Sequence, residues 1–257
     1  MALLVVMVAL GTVTAVAADD LVPVVIDQPA ELVMAEKPIV PPKTVAKGVI
    51  GEVVIRGFIA SAGRVARPPR ADKGAPKALV APAIAAFKAS TFKAPRGASN
   101  DACGLAWQEL SLSYDFRVVD GAYVVDVVAL PPGPGVLPAK TIAASRAWHE
   151  RNASRTANAE MTGVRKDLKV LSRVAPKVTH DLFFDPGPWG FIAMFVVGAD
   201  GKVSDVMVVD DGQWDGGGMR KRIGDAVVLW AFEPMTIDGV AVARRTCQLI
   251  DLPVASR

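Results

Sequence analysis

The sequence predicts an α+β protein of two small blocks, each a three-stranded antiparallel sheet packed on one helix. Three observations lead there. Two stretches repeat the same order of apolar runs, each holds a glycine-containing hairpin turn, and each turn is followed by a helical spacing and a last strand-like run. The 257 residues, 51% apolar and 21% charged, suffice for a core and exclude a disordered chain. The only uncharged apolar run of membrane length is residues 1–18, which excludes a polytopic membrane protein. A net charge of +3, from 29 basic and 26 acidic residues, is too balanced to argue for a nucleic-acid partner, and none is expected.

In chain order, residues 1–17 end in Ala15-Val16-Ala17 and read as a signal peptide, which implies export and a periplasmic location. No basic residue precedes Asp19, so an uncleaved inner-membrane anchor stays open, and membrane contact is expected only in that case. Residues 18–47 form a lead-in whose prolines (Pro23, Pro29, Pro38, Pro41 and Pro42) disfavour helix and favour an extended tether. The first block covers 48–117. Residues 118–175 are a linker with a short strand at Tyr123–Ala129, a Pro/Gly break from Leu130 to Pro138, and a helical stretch over 139–173. The second block covers 176–257.

The two blocks repeat each other. Aligning Gly63-Arg64-Val65 with Gly201-Lys202-Val203 places Gly57 and Ile59 opposite Phe195 and Val197. Phe92 and Pro95 then match Phe232 and Pro234 after an insertion. Each block reads as strand, tight turn and returning strand, and Asp200-Gly201 suits the positive φ that such a turn demands. Ile223, Ala226, Val227 and Trp230 follow at i, i+3, i+4 and i+7, the mark of a helix with one apolar face. Trp230 and Phe232 are the expected anchors of the second core. Closing strands are expected at Gly104–Phe116 and Val240–Leu252, the latter at a sheet edge with unpaired backbone groups.

The second block resembles the C-terminal domain of the TonB family. The resemblance is carried by Phe191–Val197, the turn Asp200-Gly201-Lys202-Val203, the helix end Val227-Val228-Leu229-Trp230, Phe232-Glu233-Pro234 and Asp238-Gly239-Val240. The first block looks like a diverged copy, ending its helix in Ser90-Thr91-Phe92. The resemblance implies a protein-binding module without enzymatic activity, which pairs with envelope proteins such as a segment of an outer-membrane receptor. It also implies an alternative, a membrane-anchored energy transducer, should residues 1–18 remain in the membrane. From the residues themselves, an edge strand is a template for an extended peptide. Val240, Val242, Arg244, Thr246 and Gln248 are the expected peptide-binding residues, and proline at Thr246 is the expected way to break the ladder.

No catalytic group and no cofactor is expected, and an enzyme with an unrecognised site is the third reading, behind the binding module and the transducer. His149-Glu150 opens like a zinc-protease helix, but Ala153 stands where the second histidine belongs, and His180 is far away in sequence. The acidic, glycine-rich run Asp210–Gly218 lacks both a phosphate-loop Lys and the alternation of a calcium loop, so it reads as a connection. Arg64, Arg67, Arg70, Lys73 and Lys77, interrupted by Pro68-Pro69, read as a solvated loop, with contact to anionic lipid the sharper alternative. Cys103 and Cys247 are the only cysteines, and export places them where cysteines pair. A bond between them would staple the two blocks.

Overall fold

A computed structural model describes residues 21–60, 63–98, 103–156, 164–177, 189–210 and 217–252. The expected signal segment, His180, Asp211 and Asp215 therefore lie outside the described residues. Strand outweighs helix there, 46% against 22%, and the sheets are small and antiparallel, so the class is α+β. The main elements are β1 (Gly51–Ile59), α1 (Lys77–Ala89), β2 (Trp107–Val119), β3 (Ala122–Ala129), α2 (Ala139–Arg151), β4 (Trp189–Val197), β5 (Val203–Asp210), α3 (Gly217–Val227) and β6 (Arg244–Leu252).

In the first half, β1 lies beside β2, and α1 crosses one face. Alternate residues Val53, Ile55 and Ile59 of β1 and Leu110, Leu112, Tyr114 and Phe116 of β2 meet Leu79, Ala83 and Phe87 of the helix. In the second half β4 is central between β5 and β6. Met219, Ile223 and Val227 of α3 pack on Phe191, Ala193, Phe195 and Val197, with Trp230 and Phe232 in the same core. The intervening residues Ile192, Met194 and Val196 are buried too, against Ile142 and Trp148 of α2 and Trp107 of β2. That double burial is why β4 reads as a continuous apolar run rather than an alternating one. The halves share this third core, so they form one packed body.

The equivalence of the halves reaches further than the sequence repeat. A short clasp strand precedes each central strand and pairs with the residues after the helix. Glu31, Leu32 and Met34 oppose Lys93, Phe92 and Thr91, while Lys169, Val170 and Ser172 oppose Glu233, Phe232 and Ala231. The ladder slips at the same place in both. Gly63 and Gly201 both have positive φ (75° and 76°), and a Cβ on either would sit within 2.3 Å of the carbonyl oxygen of Phe92 or of Phe232. Only glycine fits such a turn.

Four expectations are corrected. The first sheet has six strands rather than three, because Leu21–Val24, Gly135–Pro138, β3 and Arg70–Ala71 join β1 and β2. The lead-in is not a tether: Leu21–Val24 pairs with Gly135–Pro138, Ala30 is buried, and Pro42–Ala46 forms a short helix with its proline at the tolerated first turn. In the first half the returning strand is reduced to a bridge from Ile59 to Val65 and a two-residue ladder at Arg70–Ala71. Pro68-Pro69 interrupts it, since proline brings no ladder donor. Within 118–175 the expected strand is present as β3 and extends the first sheet, but the helical stretch expected over 139–173 ends at Arg151. There α2 fills the core between the halves, and Arg165–Lys166 and Lys169–Ser172 are strand because they pair with residues after α3.

Candidate functional site

The open feature of the second half is the outer edge of β6. Its inner edge pairs with β4 from Trp189↔Leu252 to Val197↔Arg244, and among the described residues no strand pairs with the outer one. The sheet's other edge is blunted. Asp205 bulges from β5 with φ 47°, its carbonyl accepts the Trp148 indole N–H at 2.7 Å, and its carboxylate pairs with Arg155.

In the first half the corresponding outer edge, that of β2, is filled. β3 pairs along it from Leu112↔Ala129 to Val119↔Ala122, and the Leu130 and Gly133 N–H groups donate to the Ser111 and Glu109 carbonyls. Backbone groups of an antiparallel strand point alternately to its two neighbours. Gln108 opposes Ile59 where Arg244 opposes Val197, so outward-facing Glu109 and Ser111 correspond to Arg245 and Cys247. The N–H and C=O groups of Arg245, Cys247 and Leu249 therefore face outward on β6, and those of Arg244, Thr246 and Gln248 face β4. Chemically, the edge offers alternating backbone donors and acceptors to an extended chain, with the Leu249 carbonyl accepting from Gln248 Nε2 at 3.0 Å until a strand displaces it.

The expected binding residues are divided by the structure. The run Val240–Leu252 breaks at Ala243, and Val240 and Val242 belong to a separate short strand paired with Met235–Ile237. Arg244, Thr246 and Gln248 lie on β6, on the face it shares with Ile250 and α3. Arg244 donates to Asp167 at 3.2 Å and Gln248 accepts from Arg173 at 3.0 Å, so the clasp segment borders the edge. Arg173 also lies over the Trp230 ring at 5.2 Å, and the Trp230 indole donates to the Val174 carbonyl at 2.9 Å. On the opposite face, Arg245 donates to the His149 carbonyl at 2.8 Å. Lys166 donates to Glu233 and holds its carboxyl below the usual carboxylate range, which fastens the clasp.

Cys103 and Cys247 lie at disulfide distance, Cα to Cα 6.0 Å, and tie β6 to the first half. Sequence reasoning missed Asp167, Arg173 and the His149 carbonyl, because each reaches β6 across 75 or more residues. A signal for the first two existed. The repeat continues to residues 26–39 and 164–177, an offset of 138 given by Glu31 against Lys169. Of the basic series, Arg67 lies over the Trp107 ring at 5.5 Å, while Arg70, Lys73 and Lys77 are exposed. No helix among the described residues is long and apolar enough to cross a membrane. Against known proteins, the chain matches no family model, and no curated protein is similar to it in sequence.

Proposed function

We propose that the chain is an exported, periplasmic, TonB-like protein-binding module that captures extended segments of envelope proteins by strand addition along β6. The observation that carries this reading is the contrast between two equivalent edges. The edge of β2 holds a strand, β3, and the edge of β6 has none among the described residues. Within one molecule the first half thus supplies a worked example of what the second half accepts: an antiparallel strand whose backbone supplies the hydrogen bonds. A segment of an outer-membrane receptor is the partner class that the family resemblance implies.

The test follows from the alternation of the ladder. Proline at Thr246 would remove a donor aimed at β4 and unsettle the fold. Proline at Leu249 removes an outward donor, where an edge strand tolerates it. The full chain is immobilised and envelope proteins retained from a periplasmic extract are compared. Leu249 also packs on the shared core, so the comparison is with Leu249→Ala, which gives up the same packing but keeps the N–H. Leu249→Pro is expected to lose the partners, Leu249→Ala to retain them, and Arg244→Glu to have a mild effect. A partner held equally by the Leu249→Pro variant refutes strand addition.

A further inference from the structure

We infer that the segment captured at β6 carries two acidic side chains three positions apart. The inference rests on the strand-addition reading and adds the partner's chemistry to it. β6 is bordered by two arginines, one on each face of the sheet. Arg173 reaches the edge on the α3 side, where its guanidinium donates to Gln248 and lies over Trp230. Arg245 belongs to β6 itself and turns to the other face, toward α2. Both are held by neutral acceptors, an amide oxygen and a backbone carbonyl, and neither forms an ion pair among the described residues. By contrast Arg244, next to Arg245 on β6, is already met by Asp167.

The spacing follows from the ladder. A residue opposite position 248 shares the face of Arg173, and one opposite 245 shares the face of Arg245. The two positions are 248 minus 245, or three, apart, an odd number that places the two side chains on opposite faces. The spacing is the same for parallel and antiparallel addition. The first half contains the precedent in single form: Arg117 of β2 pairs with Asp126 on the strand that fills its edge. Cross-strand and diagonal neighbours of opposite charge are the pairs that stabilise a sheet face.

The probe is the sequence of β3, AYVVDVVA, flanked by Gly-Ser at each end and titrated against the full disulfide-bonded chain. Three versions are compared, each extended through Gly133 before its flank and carrying Asp126→Asn: one with no further change, without an acid; one with Ala129→Asp and Pro132→Asp, acids three apart that stand opposite 248 and 245 in the register of β3; and one with Ala129→Asp and Pro131→Asp, acids two apart on one face. The peptide with acids three apart is expected to bind roughly three- to tenfold tighter than the other two, the range for exposed charge pairs. The advantage shrinks as salt rises. Arg173→Gln and Arg245→Gln in the protein should each remove part of that advantage while the neutral peptide binds as before. Equal binding of the two- and three-spaced peptides overturns the spacing, and equal binding of all three overturns the acidic preference while leaving strand addition intact. If no peptide binds, or if Leu249→Pro binds them all unchanged, the strand-addition reading fails and the inference with it.

Discussion

The two halves solve the same packing problem with their large residues exchanged. In the first half, β1 contributes Gly57 and α1 contributes Phe87, and a Cβ on Gly57 would stand 2.6 Å from the phenylalanine ring. In the second, the equivalent strand position is Phe195 and the equivalent helix position is Val227, both in one core. The volume is conserved and its owner is not, which is the condition under which cores tolerate change. The clasp anchors differ likewise. Ser90 Oγ accepts from the Glu36 N–H at 3.0 Å, whereas at the matching place Trp230 donates to the Val174 carbonyl at 2.9 Å.

Charge diverges more freely. Residues 26–39 carry Asp27, Glu31 and Glu36 against Lys37, while the equivalent 164–177 carries Arg165, Lys166, Lys169, Arg173 and Lys177 against Asp167. The sign reverses because these side chains are largely exposed, where single charges affect folding little. What differs most is the edge. The first half closes its own; the second, among the described residues, leaves one open.

Breaking the staple should have the largest effect. The bond spans 144 residues, and the chain-entropy model assigns such a loop ~5 kcal/mol. Cys103→Ser and Cys247→Ser are each expected to lower the denaturant midpoint strongly. Equal midpoints with and without reductant would show that the shared core alone joins the halves.

Next comes Trp230→Ala, which removes a buried ring that contacts Phe195 and Phe232, together with the hydrogen bond to Val174. A loss of ~3–5 kcal/mol is expected. Ser90→Ala, at the equivalent place, should cost only about 1 kcal/mol. Similar losses at the two positions would break the equivalence.

Gly57→Ala should cost ~1–3 kcal/mol through overpacking against Phe87. The exchange Gly57→Phe with Phe87→Val, which copies the second half, should recover most of the loss of Gly57→Phe alone. Thermal melts of the three variants read the coupling, and strict additivity would sink the idea of a conserved volume.

The smallest effect is one of pH. Glu233 and Asp72 are both held below their ordinary values of 4.5 and 3.8, Glu233 by Lys166 and Asp72 by Arg56. Lowered carboxyls contribute stability above those values, and it is lost as pH falls through the folded ones. Amides of the Lys169–Ser172 clasp should therefore lose protection in that acid range, and Glu233→Gln should flatten the dependence. Unchanged protection down to the lowest pH would mean that the ion pair does not fasten the clasp.

Local patterns decided much of this protein. The apolar alternation of β1, the helical spacing of Ile223, Ala226 and Val227, the glycine turns at 63 and 201, and the relation of the halves are all visible in sequence, because each depends on neighbours within a few positions or on self-similarity. The cysteine pair was legible from its count and the expected compartment. Only the tertiary structure decided that Leu21–Met34 is sheet, since its extended backbone is equally compatible with a free tether until Gly135–Pro138 and Thr91–Lys93 are brought beside it. It likewise decided that β3 fills the edge of β2, that Ala243 divides the closing run, and that Arg173 and Arg245 flank β6. Those outcomes rest on contacts between distant residues, and an arginine in a sequence carries no mark of which backbone edge it will stand beside.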